Sequence, residues 1–359
     1  MTAASKTLRT VAELRDREFL RADQVHDLEQ VAAQYTIAIT PAMADLIDGS
    51  DLDDPIGRQF VPATAELDTQ PEESGDPIGD DAHSPLPGLV HRYPDRVLLK
   101  LAHVCAVYCR FCFRSEMVGP DRGHALSFKA LADALDYIRN RPEIWEVVLT
   151  GGDPLILSPR RIRSVGAALS AIDHVKVLRW HTRMPVVEPE RITPDLVRAL
   201  QAADKATYVV LHANHPREMT EAARAACAHL VDAGIPLLSQ SVLLRGVNDD
   251  PDTLAGLMRA FVETRIKPYY LHHADLAPGT AHFRTSIDQG QGLMRAMRGR
   301  LSGLCQPTYV LDIPGGHGKS PIGPNYVVAI DEKPGAYSVE DYRGGRHVYP
   351  PASRGTSST

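Results

Sequence analysis

The sequence predicts an α/β fold, in which a partial or complete (β/α) barrel follows an N-terminal helical segment. Apolar runs of strand length alternate with amphipathic runs of helix length from residue 93 onward. About six or more such units follow one another, and this alternation is typical of parallel strands covered by helices. Polar, glycine-rich segments follow several strands, where barrel enzymes place their functional groups. Together these observations favour a barrel enzyme.

The predicted elements follow one another in chain order. A first strand at 97–101 leads into a loop, and Ser127 caps a helix that extends through Ile138. Further strands are expected at 146–150, 175–180, 207–211, 237–244, 269–273 and 308–312. Further helices are expected near 162–172, 196–203, 218–233, 254–264 and 289–300.

The chain divides into three predicted parts. Residues 1–88 hold short helices up to about Ile47, then a loop-like linker from Asp51 to Pro87 that is rich in Asp, Glu, Pro and Gly. The barrel and its sites occupy residues 89–332. Residues 333–359 are expected to be a disordered C-terminal tail, because they contain Gly344-Gly345 and end in a Ser/Gly/Thr-rich run.

Composition excludes several classes of protein. The chain has 39 Lys and Arg against 45 Asp and Glu, a net charge of −6, which is not the basic character of a nucleic-acid-binding protein. No run of about 18 apolar residues predicts a membrane span. The first residues lack the apolar core of a secretory signal, and five cysteines are too few for a disulfide framework. We therefore expect a cytoplasmic enzyme.

The strongest motif is Cys105-x3-Cys109-x2-Cys112, directly after the first predicted strand. Three thiolates at this spacing can ligate three irons of a [4Fe–4S] cluster and leave the fourth iron open, whereas electron carriers close all four irons with cysteine. A Cys3His zinc site that includes His103 is the alternative, although structural zinc sites usually use paired short spacings. The motif therefore favours a cluster with a reactive open iron.

Two polar segments follow later strands. The run Thr-Gly-Gly-Asp-Pro at 150–154 includes Gly151 and Gly152, which allow a ligand to approach the backbone closely, and Asp153, which adds a carboxylate. The same run is typical of an ordinary βα turn. Gln240 ends another predicted strand, where it is either a ligand contact or a polar cap.

Near the C-terminus, Asp312 begins the run Asp-Ile-Pro-Gly-Gly-His-Gly-Lys, which ends at Lys319. The spacing is not that of a phosphate-binding P-loop, and Pro321 follows almost at once. A lysine in this setting can form a Schiff base with the aldehyde of pyridoxal phosphate (PLP). Taken without the cysteines, Lys319 is also typical of a lysine in a surface loop.

Together these motifs resemble the lysine 2,3-aminomutase family of radical S-adenosylmethionine (SAM) enzymes. The resemblance covers roughly residues 89–330 and also includes the runs His-Arg-Tyr-Pro-Asp-Arg-Val at 91–97, His-Thr-Arg-Met-Pro at 181–185, Tyr-Tyr-Leu-His-His-Ala-Asp at 269–275 and Pro-Gly-Thr-Ala-His-Phe-Arg-Thr at 278–285. It implies a TIM-like barrel of the radical SAM type. It also implies three cofactors, which are a [4Fe–4S] cluster, SAM and PLP.

The resemblance assigns a role to each candidate site residue. The cluster ligands would be Cys105, Cys109 and Cys112. SAM would lie near Gly151, Gly152, Asp153 and Gln240. PLP would be carried by Lys319 and contacted by Arg92, Tyr93 and Arg96. The α-carboxylate of the substrate would bind Arg114, and its distal ammonium would bind Asp275 and Asp312.

The implied activity is that of an isomerase, the SAM- and PLP-dependent migration of the α-amino group of L-lysine to C3, which gives β-lysine. One guanidinium can clamp a carboxylate, and two carboxylates select a cationic side chain. Glutamate is therefore disfavoured, whereas arginine is harder to reject and ornithine stays open. An enzyme that forms (R)-β-lysine for elongation factor P modification is a further alternative. A non-catalytic cluster-binding protein would require Lys319, Arg114 and both acids to be coincidental.

The same resemblance defines the expected partners. They are a lysine substrate and an electron donor such as flavodoxin or ferredoxin. No nucleic-acid or membrane partner is expected, and a homo-oligomer is left open.

Overall fold

A nine-stranded sheet forms the centre of the computed structural model, which describes residues 6–115, 123–330 and 334–350. Its strands are β1 Leu89–Tyr93, β2 Arg96–Ala102, β3 Glu146–Gly151, β4 Val177–Thr182, β5 Ala206–His212, β6 Leu237–Val242, β7 Ile266–His272, β8 Thr308–Ile313 and β9 Gly318–Pro321. They pair in chain order. β2 to β8 are parallel, whereas β1 and β9 run antiparallel to their neighbours at the two edges. The predicted partial barrel is therefore confirmed, as a mixed sheet.

Helices connect the parallel strands, as the alternation predicts. The helices are α1 Val11–Asp16, α2 Val25–Gln34, α3 Pro41–Ala44, α4 Gly57–Phe60, α5 Phe128–Arg139, α6 Pro159–Ser170, α7 Met184–Val187, α8 Pro194–Gln201, α9 Glu221–Asp232, α10 Pro251–Glu263 and α11 Ile287–Met297. Among the described residues, no helix is both long and apolar enough to cross a membrane.

Three helices begin earlier than the apolar spacing predicts. They start at Pro159, Pro194 and Pro251 rather than at 162, 196 and 254. In each case the preceding Ser, Thr or Asp accepts a hydrogen bond from a first-turn amide, and proline, which has no N–H to satisfy, takes the first helical position. Capping chemistry therefore sets these starts.

Residues 51–87, which the sequence predicts as a loop-like linker, contain only the short helix α4 and 3-10 turns. The segment is nevertheless packed into the protein. Ile56 and Phe60 are fully buried and belong to the main hydrophobic core. Four of its polar side chains are also buried, namely Asp54, Gln59, Glu66 and Asp80. This segment therefore forms part of the wall around the barrel.

The segment after the barrel corrects one expectation. A separate antiparallel sheet consists of β10 Val327–Ala329, β11 Tyr337–Glu340 and β12 Arg346–Tyr349. The expected disorder is wrong here because valine and tyrosine favour strands, and Gly344-Gly345 lies in the turn that joins β11 to β12. Residues 351–359 of the predicted tail lie outside the described residues.

Candidate active site

A cavity of about 630 Å³ is lined by the barrel and by the loops at the carboxyl ends of its parallel strands. Every residue that the sequence analysis proposes for a site lines it. These residues are Arg92, Tyr93, Arg96, Cys105, Cys109, Cys112, Arg114, Gly151, Gly152, Asp153, Gln240, Asp275, Asp312 and Lys319. The structure thus brings the cysteine motif and Lys319 to one cavity, while the individual roles stay predictions.

The cysteine loop follows β2 and turns tightly, since the Cys112 N–H donates to the Cys109 carbonyl at 3.1 Å. Burial raises the pKa of all three thiols, that of Cys112 to about 11, so without bound iron they are protonated. Within the described ranges, no three His, Cys, Asp or Glu side chains could hold a single metal ion. A cluster takes one thiolate on each of several irons and does not require such a group.

Gly151 and Gly152, at the end of β3, allow another stretch of backbone, rather than a ligand, to approach closely. A Cβ on Gly151 would lie 2.2 Å from the Ala102 carbonyl oxygen, and one on Gly152 would lie 2.3 Å from that of Val104. Gly151 also has a φ of +113°. The glycines therefore let the end of β3 pack against the start of the cysteine loop, which is how they help to place the cysteines.

The carboxylate of Asp153 accepts its hydrogen bonds from within the protein. Its buried carboxylate accepts hydrogen bonds from the Leu155 N–H at 2.9 Å, the Thr182 hydroxyl at 2.7 Å and the Arg183 N–H at 2.8 Å. Burial raises the pKa of Asp153 in spite of these bonds. This carboxylate joins the loops after β3 and β4, a structural contribution that the sequence analysis did not include.

Three cations surround one carboxylate in what we call the cationic cluster, which consists of Arg92, Lys100, Arg114 and Asp80. Asp80 lies 3.0 Å from Arg92 Nη2, 3.4 Å from Arg114 Nη2 and 3.8 Å from Lys100 Nζ. With three positive charges and one negative charge, these four side chains have a net charge of +2. Burial alone would raise the pKa of Asp80, but the three cations lower it.

Lys319 lies on β9 directly opposite Asp312 on β8. Its Nζ donates to Asp312 Oδ1 at 2.6 Å, and its backbone N–H donates to Tyr93 Oη at 2.7 Å. Gly318 has a φ of +85°, and a Cβ there would lie 2.8 Å from Tyr93 Oη. Arg96 lies over the Tyr93 ring, 3.8 Å from its centre. Three of the four residues proposed to carry or contact PLP, namely Tyr93, Arg96 and Lys319, are therefore joined by direct contacts through Tyr93.

Asp275 and Asp312 lie near each other but differ in how far their charges are neutralised. Together with His272 and Lys319 they form what we call the acidic cluster. Burial favours a raised pKa for Asp312, but a hydrogen bond with His272 at 3.3 Å and the charge of Lys319 hold this pKa well below its usual range. Among the described residues, the buried Oδ1 of Asp275 has no hydrogen-bond partner. Burial and the charge of Asp312 raise the pKa of Asp275 to about 7.

Unpartnered polar atoms concentrate on this cavity. Buried nitrogen or oxygen atoms without a hydrogen-bond partner among the described residues occur on seven of its lining residues, which are Arg92, Arg114, Arg179, His181, Arg183, His272 and Asp275. Leaving a buried polar atom unpaired costs about 1–3 kcal/mol, so such atoms indicate a place for polar ligands. The residues present therefore fit the polar cofactors and the zwitterionic substrate that the sequence implies.

Several of these residues carried no signal in the sequence. Asp80 and Gln59 belong to the segment predicted as a linker, and Lys100 reads as an ordinary strand residue. Arg183 lies in the run 181–185, which gives it no individual role, yet its guanidinium donates to Cys109 Sγ. His272 lies in the run 269–275, in which the sequence assigns no role to this histidine. For Arg183 and His272, membership of these two motifs is the signal that points to the site.

Comparison with known proteins agrees with the geometry. The model of the radical SAM superfamily matches residues 99–258, and that of lysine-2,3-aminomutase matches residues 294–351. An L-lysine 2,3-aminomutase from Clostridium subterminale is 42% identical over 322 residues, which are 90% of this chain and 77% of that one. The enzyme of the same name from Acetoanaerobium sticklandii is 41% identical, with the same coverage of both chains.

A relative with a different printed substrate also matches. Glutamate 2,3-aminomutase from Clostridioides difficile is 37% identical over 302 residues, which are 84% of this chain and 71% of that one. The identity to the two L-lysine 2,3-aminomutases extends over most of both chains, and two family models also match. These findings establish that the chain and these enzymes belong to one family. The chain therefore belongs to the lysine 2,3-aminomutase family of radical SAM enzymes, isomerases that use a [4Fe–4S] cluster, SAM and PLP.

Proposed function

We propose that this chain converts L-lysine into β-lysine by moving the α-amino group from C2 to C3. Relatives named for lysine support this, but a relative named for glutamate is almost as similar, so the choice of substrate must be argued from the cavity. The observation that carries the choice is Asp275, which lies near the second acid of the acidic cluster and whose buried Oδ1 has no hydrogen-bond partner in the part of the chain that the structure describes. A substrate ammonium would supply the missing partner.

The two clusters suit the two ends of lysine. Arg114 in the cationic cluster has no partner for its Nε within the described ranges, and its Nη2 makes a long contact of 3.4 Å with Asp80. Its guanidinium is therefore available to clamp an α-carboxylate. The distal ammonium would bind between Asp275 and Asp312. The side-chain carboxylate of glutamate would face two acids there, and juxtaposing like charges in a desolvated site costs several kcal/mol. The arrangement therefore favours a cationic substrate.

The cofactors supply chemistry that side chains cannot: the cluster and SAM generate a 5′-deoxyadenosyl radical, and PLP delocalises the unpaired electron while nitrogen migrates. In our proposal Cys105, Cys109 and Cys112 hold the cluster. Lys319 binds PLP through Nζ. While Nζ held PLP, Asp312 would lack the ammonium that now neutralises it and would be able to pair with the ammonium of an incoming substrate.

The remaining residues position the cofactors. Tyr93 contacts Lys319, and Arg96 lies over the Tyr93 ring, which supports the assignment of both residues to PLP. Arg92 is held by Asp80 and by the Ile78 carbonyl at 2.8 Å. We assign the surroundings of SAM to the ends of β3 and β6, at Gly151, Gly152, Asp153 and Gln240. Asp153 acts there by fixing neighbouring loops, because its carboxylate is already filled by protein donors.

The decisive experiment is anaerobic reconstitution with iron, sulfide, SAM, PLP and dithionite, followed by amino-acid analysis. Lysine, arginine, ornithine and glutamate are supplied in parallel. We expect β-lysine from lysine at the highest kcat/KM and no β-glutamate. Faster turnover of arginine or glutamate would contradict the substrate assignment. Chiral chromatography of the product adds the stereochemistry, and the R isomer as sole product would favour the role in elongation factor P modification.

Replacement of one proposed cluster ligand tests the iron site separately. We expect Cys109→Ser to lose the iron and sulfide that the wild-type chain binds on reconstitution, because serine does not replace the thiolate. Cys227→Ser is the matched control, since Cys227 is a buried thiol on α9 that does not line the cavity. Normal iron content in Cys109→Ser would refute the ligand assignment.

We further propose that the enzyme works in the cytoplasm, where reducing conditions protect an oxygen-sensitive cluster and a low-potential protein such as flavodoxin or ferredoxin can deliver the electron. The net charge of −6 supports a small-molecule substrate rather than a nucleic acid. Fractionation, reduction assays with candidate donors and light scattering of the reconstituted enzyme test the compartment, the donor and the subunit count.

A further inference from the structure

Arg183 connects the cysteine loop to two other parts of the molecule. It follows β4, its side chain is only 6% exposed, and its Nη1 donates to Cys109 Sγ at 2.9 Å. Its Nη2 donates to Gln59 Oε1 and to Glu218 Oε2, both at 2.6 Å. One guanidinium therefore joins a proposed cluster ligand, the segment before the barrel and the loop after β5.

The acceptor side of this network is itself fixed. The fully buried Glu218 carboxylate accepts hydrogen bonds from the backbone N–H groups of Asn214 at 2.8 Å and His215 at 3.0 Å, and from Gln59 Nε2 at 3.2 Å. Backbone donors cannot rotate away, so Glu218 holds the guanidinium in one orientation. The N–H aimed at Cys109 is therefore set before any iron is bound.

Two aromatic rings lie beside the guanidinium of Arg183. Its central carbon lies 4.8 Å from the centre of the Phe60 ring and 5.5 Å from that of Phe111. Both rings are buried, Phe60 in the main core and Phe111 in a second cluster of buried residues. A charge–sulfur contact in such a place is screened little by water, so it has a large effect on the sulfur.

We propose that Arg183 is a positioning residue that donates an N–H···S hydrogen bond to Cys109 when this sulfur ligates the cluster, and that it thereby raises the reduction potential of the cluster. The inference rests on the part of the proposed function that assigns the cysteines to a cluster. One electron from an external reductant takes the cluster from the 2+ to the 1+ state. The added negative charge is stabilised by a nearby donor and a nearby positive charge, which favours the reduced state.

The test measures the midpoint potential by titration with dithionite, followed by electron paramagnetic resonance. It uses anaerobically reconstituted protein without lysine or PLP. We expect the midpoint potential of Arg183→Met to be more negative than that of the wild type. Glu218→Gln should shift it in the opposite direction, because loss of the carboxylate charge leaves the positive charge of Arg183 less offset. Opposite signs are not expected from general loosening of the fold.

Arg110→Met is the matched control. Arg110 is next to Cys109 in the chain and is equally buried, but its described hydrogen bonds run to Glu66, at 2.9 Å, and to the Thr36 carbonyl, at 3.0 Å. Like Arg183→Met, this variant leaves one buried glutamate without its arginine. We expect its midpoint potential to stay closer to the wild-type value.

Three results would overturn the proposal: an unchanged midpoint potential in Arg183→Met, an equal shift in Arg110→Met, or a shift of the same sign in Glu218→Gln. If Arg183→Met binds no iron, Arg183→Lys and Glu218→Gln decide, and Arg183→Lys should still give a more negative midpoint potential. Because no amino-acid substrate is present, failure here is distinct from failure of the lysine assignment. An enzyme with the expected potentials but no β-lysine product would refute only the latter.

Discussion

Asp80 and Asp275 are two acids at the same cavity with opposite surroundings. Asp80 is almost completely buried and contacts three cations. The buried Oδ1 of Asp275, by contrast, meets no hydrogen-bond donor among the residues that the structure describes, and Asp312 is nearby. Burial raises the pKa of both, yet the cations lower the pKa of Asp80 while that of Asp275 rises to about 7. The identity of the neighbours, rather than burial, decides the difference.

The comparison shows how one cavity can recognise a substrate that carries both charges. The cationic cluster has an excess of positive charge. In the acidic cluster two acids lie near one ammonium, that of Lys319, which pairs with Asp312. A buried charge is costly until it has a partner. Lysine, with a carboxylate at one end and an ammonium at the other, can reduce both imbalances at once. Each of the following variants changes one side of this arrangement.

The largest effect is expected from Lys319→Ala, which removes the cation of the acidic cluster. Loss of the amine that binds PLP should lower β-lysine formation on the order of 10⁴-fold or more and abolish the absorbance of bound PLP, while iron content stays normal. Lys267→Ala is the control, because Lys267 donates to the Leu304 carbonyl at 2.9 Å and does not line the cavity. Retained PLP colour in Lys319→Ala would contradict its role.

Asp80→Asn removes the acid of the cationic cluster and should act on stability. It leaves three partly buried cations without the carboxylate that they share, so we expect the free energy of unfolding at pH 7 to fall by about 3 kcal/mol. The pKa of Asp80 is lowered in the fold. Its stabilisation is therefore complete above the unfolded value of about 4 and is lost as pH falls through the lower folded value.

Urea unfolding of the apoprotein at several pH values checks this prediction. The difference between wild type and Asp80→Asn should shrink on acidification. Asp81→Asn is the neighbouring control, because Asp81 is exposed, and a surface change of this kind is worth about 0.5 kcal/mol or less. Equal losses in the two variants would show that the contacts of Asp80 do not stabilise the fold.

Asp275→Asn tests the other side of the comparison. Loss of the carboxylate should weaken binding of the distal ammonium by about 2 kcal/mol, which corresponds to a KM for lysine roughly 30-fold higher. Norleucine, which has the same chain length without the ammonium, should inhibit wild type and variant equally. If the inhibition constant for norleucine changed as much as KM for lysine, Asp275 would not bind the ammonium.

The smallest effect is a pH dependence. With a pKa of about 7, Asp275 is largely protonated at pH 6 and largely ionised at pH 8. The ammonium of lysine binds the ionised form, so KM should fall about tenfold between these pH values, and binding at pH 6 should release a proton. Calorimetry in buffers of different ionisation enthalpy measures this release. The same pH dependence in Asp275→Asn would assign it to another group.

The sequence predicted the barrel well because strand and helix periodicity are local. The cysteine loop, Lys319 and the predicted acids also carry local motifs. The buried polar side chains of residues 51–87 were missed for the opposite reason. Gln59 meets Glu218 and Asp80 meets Arg114 only after the chain has folded, and neither contact has a periodic signal. Their segment has the composition of a loop, although it is packed as part of the barrel wall.

The edges of the sheet were missed for a further reason. β1 and β9 are short and pair antiparallel with a neighbour in sequence, so they do not extend the strand–helix alternation. The composition of residues 333–359 predicts a tail because glycine and serine are frequent there, and β11 and β12 lie in this segment. In both places hairpin pairing decided the structure, and composition alone did not indicate it.

The hairpin that pairs Asp312 with Lys319 has a consequence for variation in the length of its turn. Side chains alternate between the two faces of a strand, so insertion or deletion of one residue between these positions would send the lysine to the face away from the cavity. Only changes that preserve this parity keep acid and amine together. Homologues that use both groups should therefore differ in this turn by an even number of residues or by none.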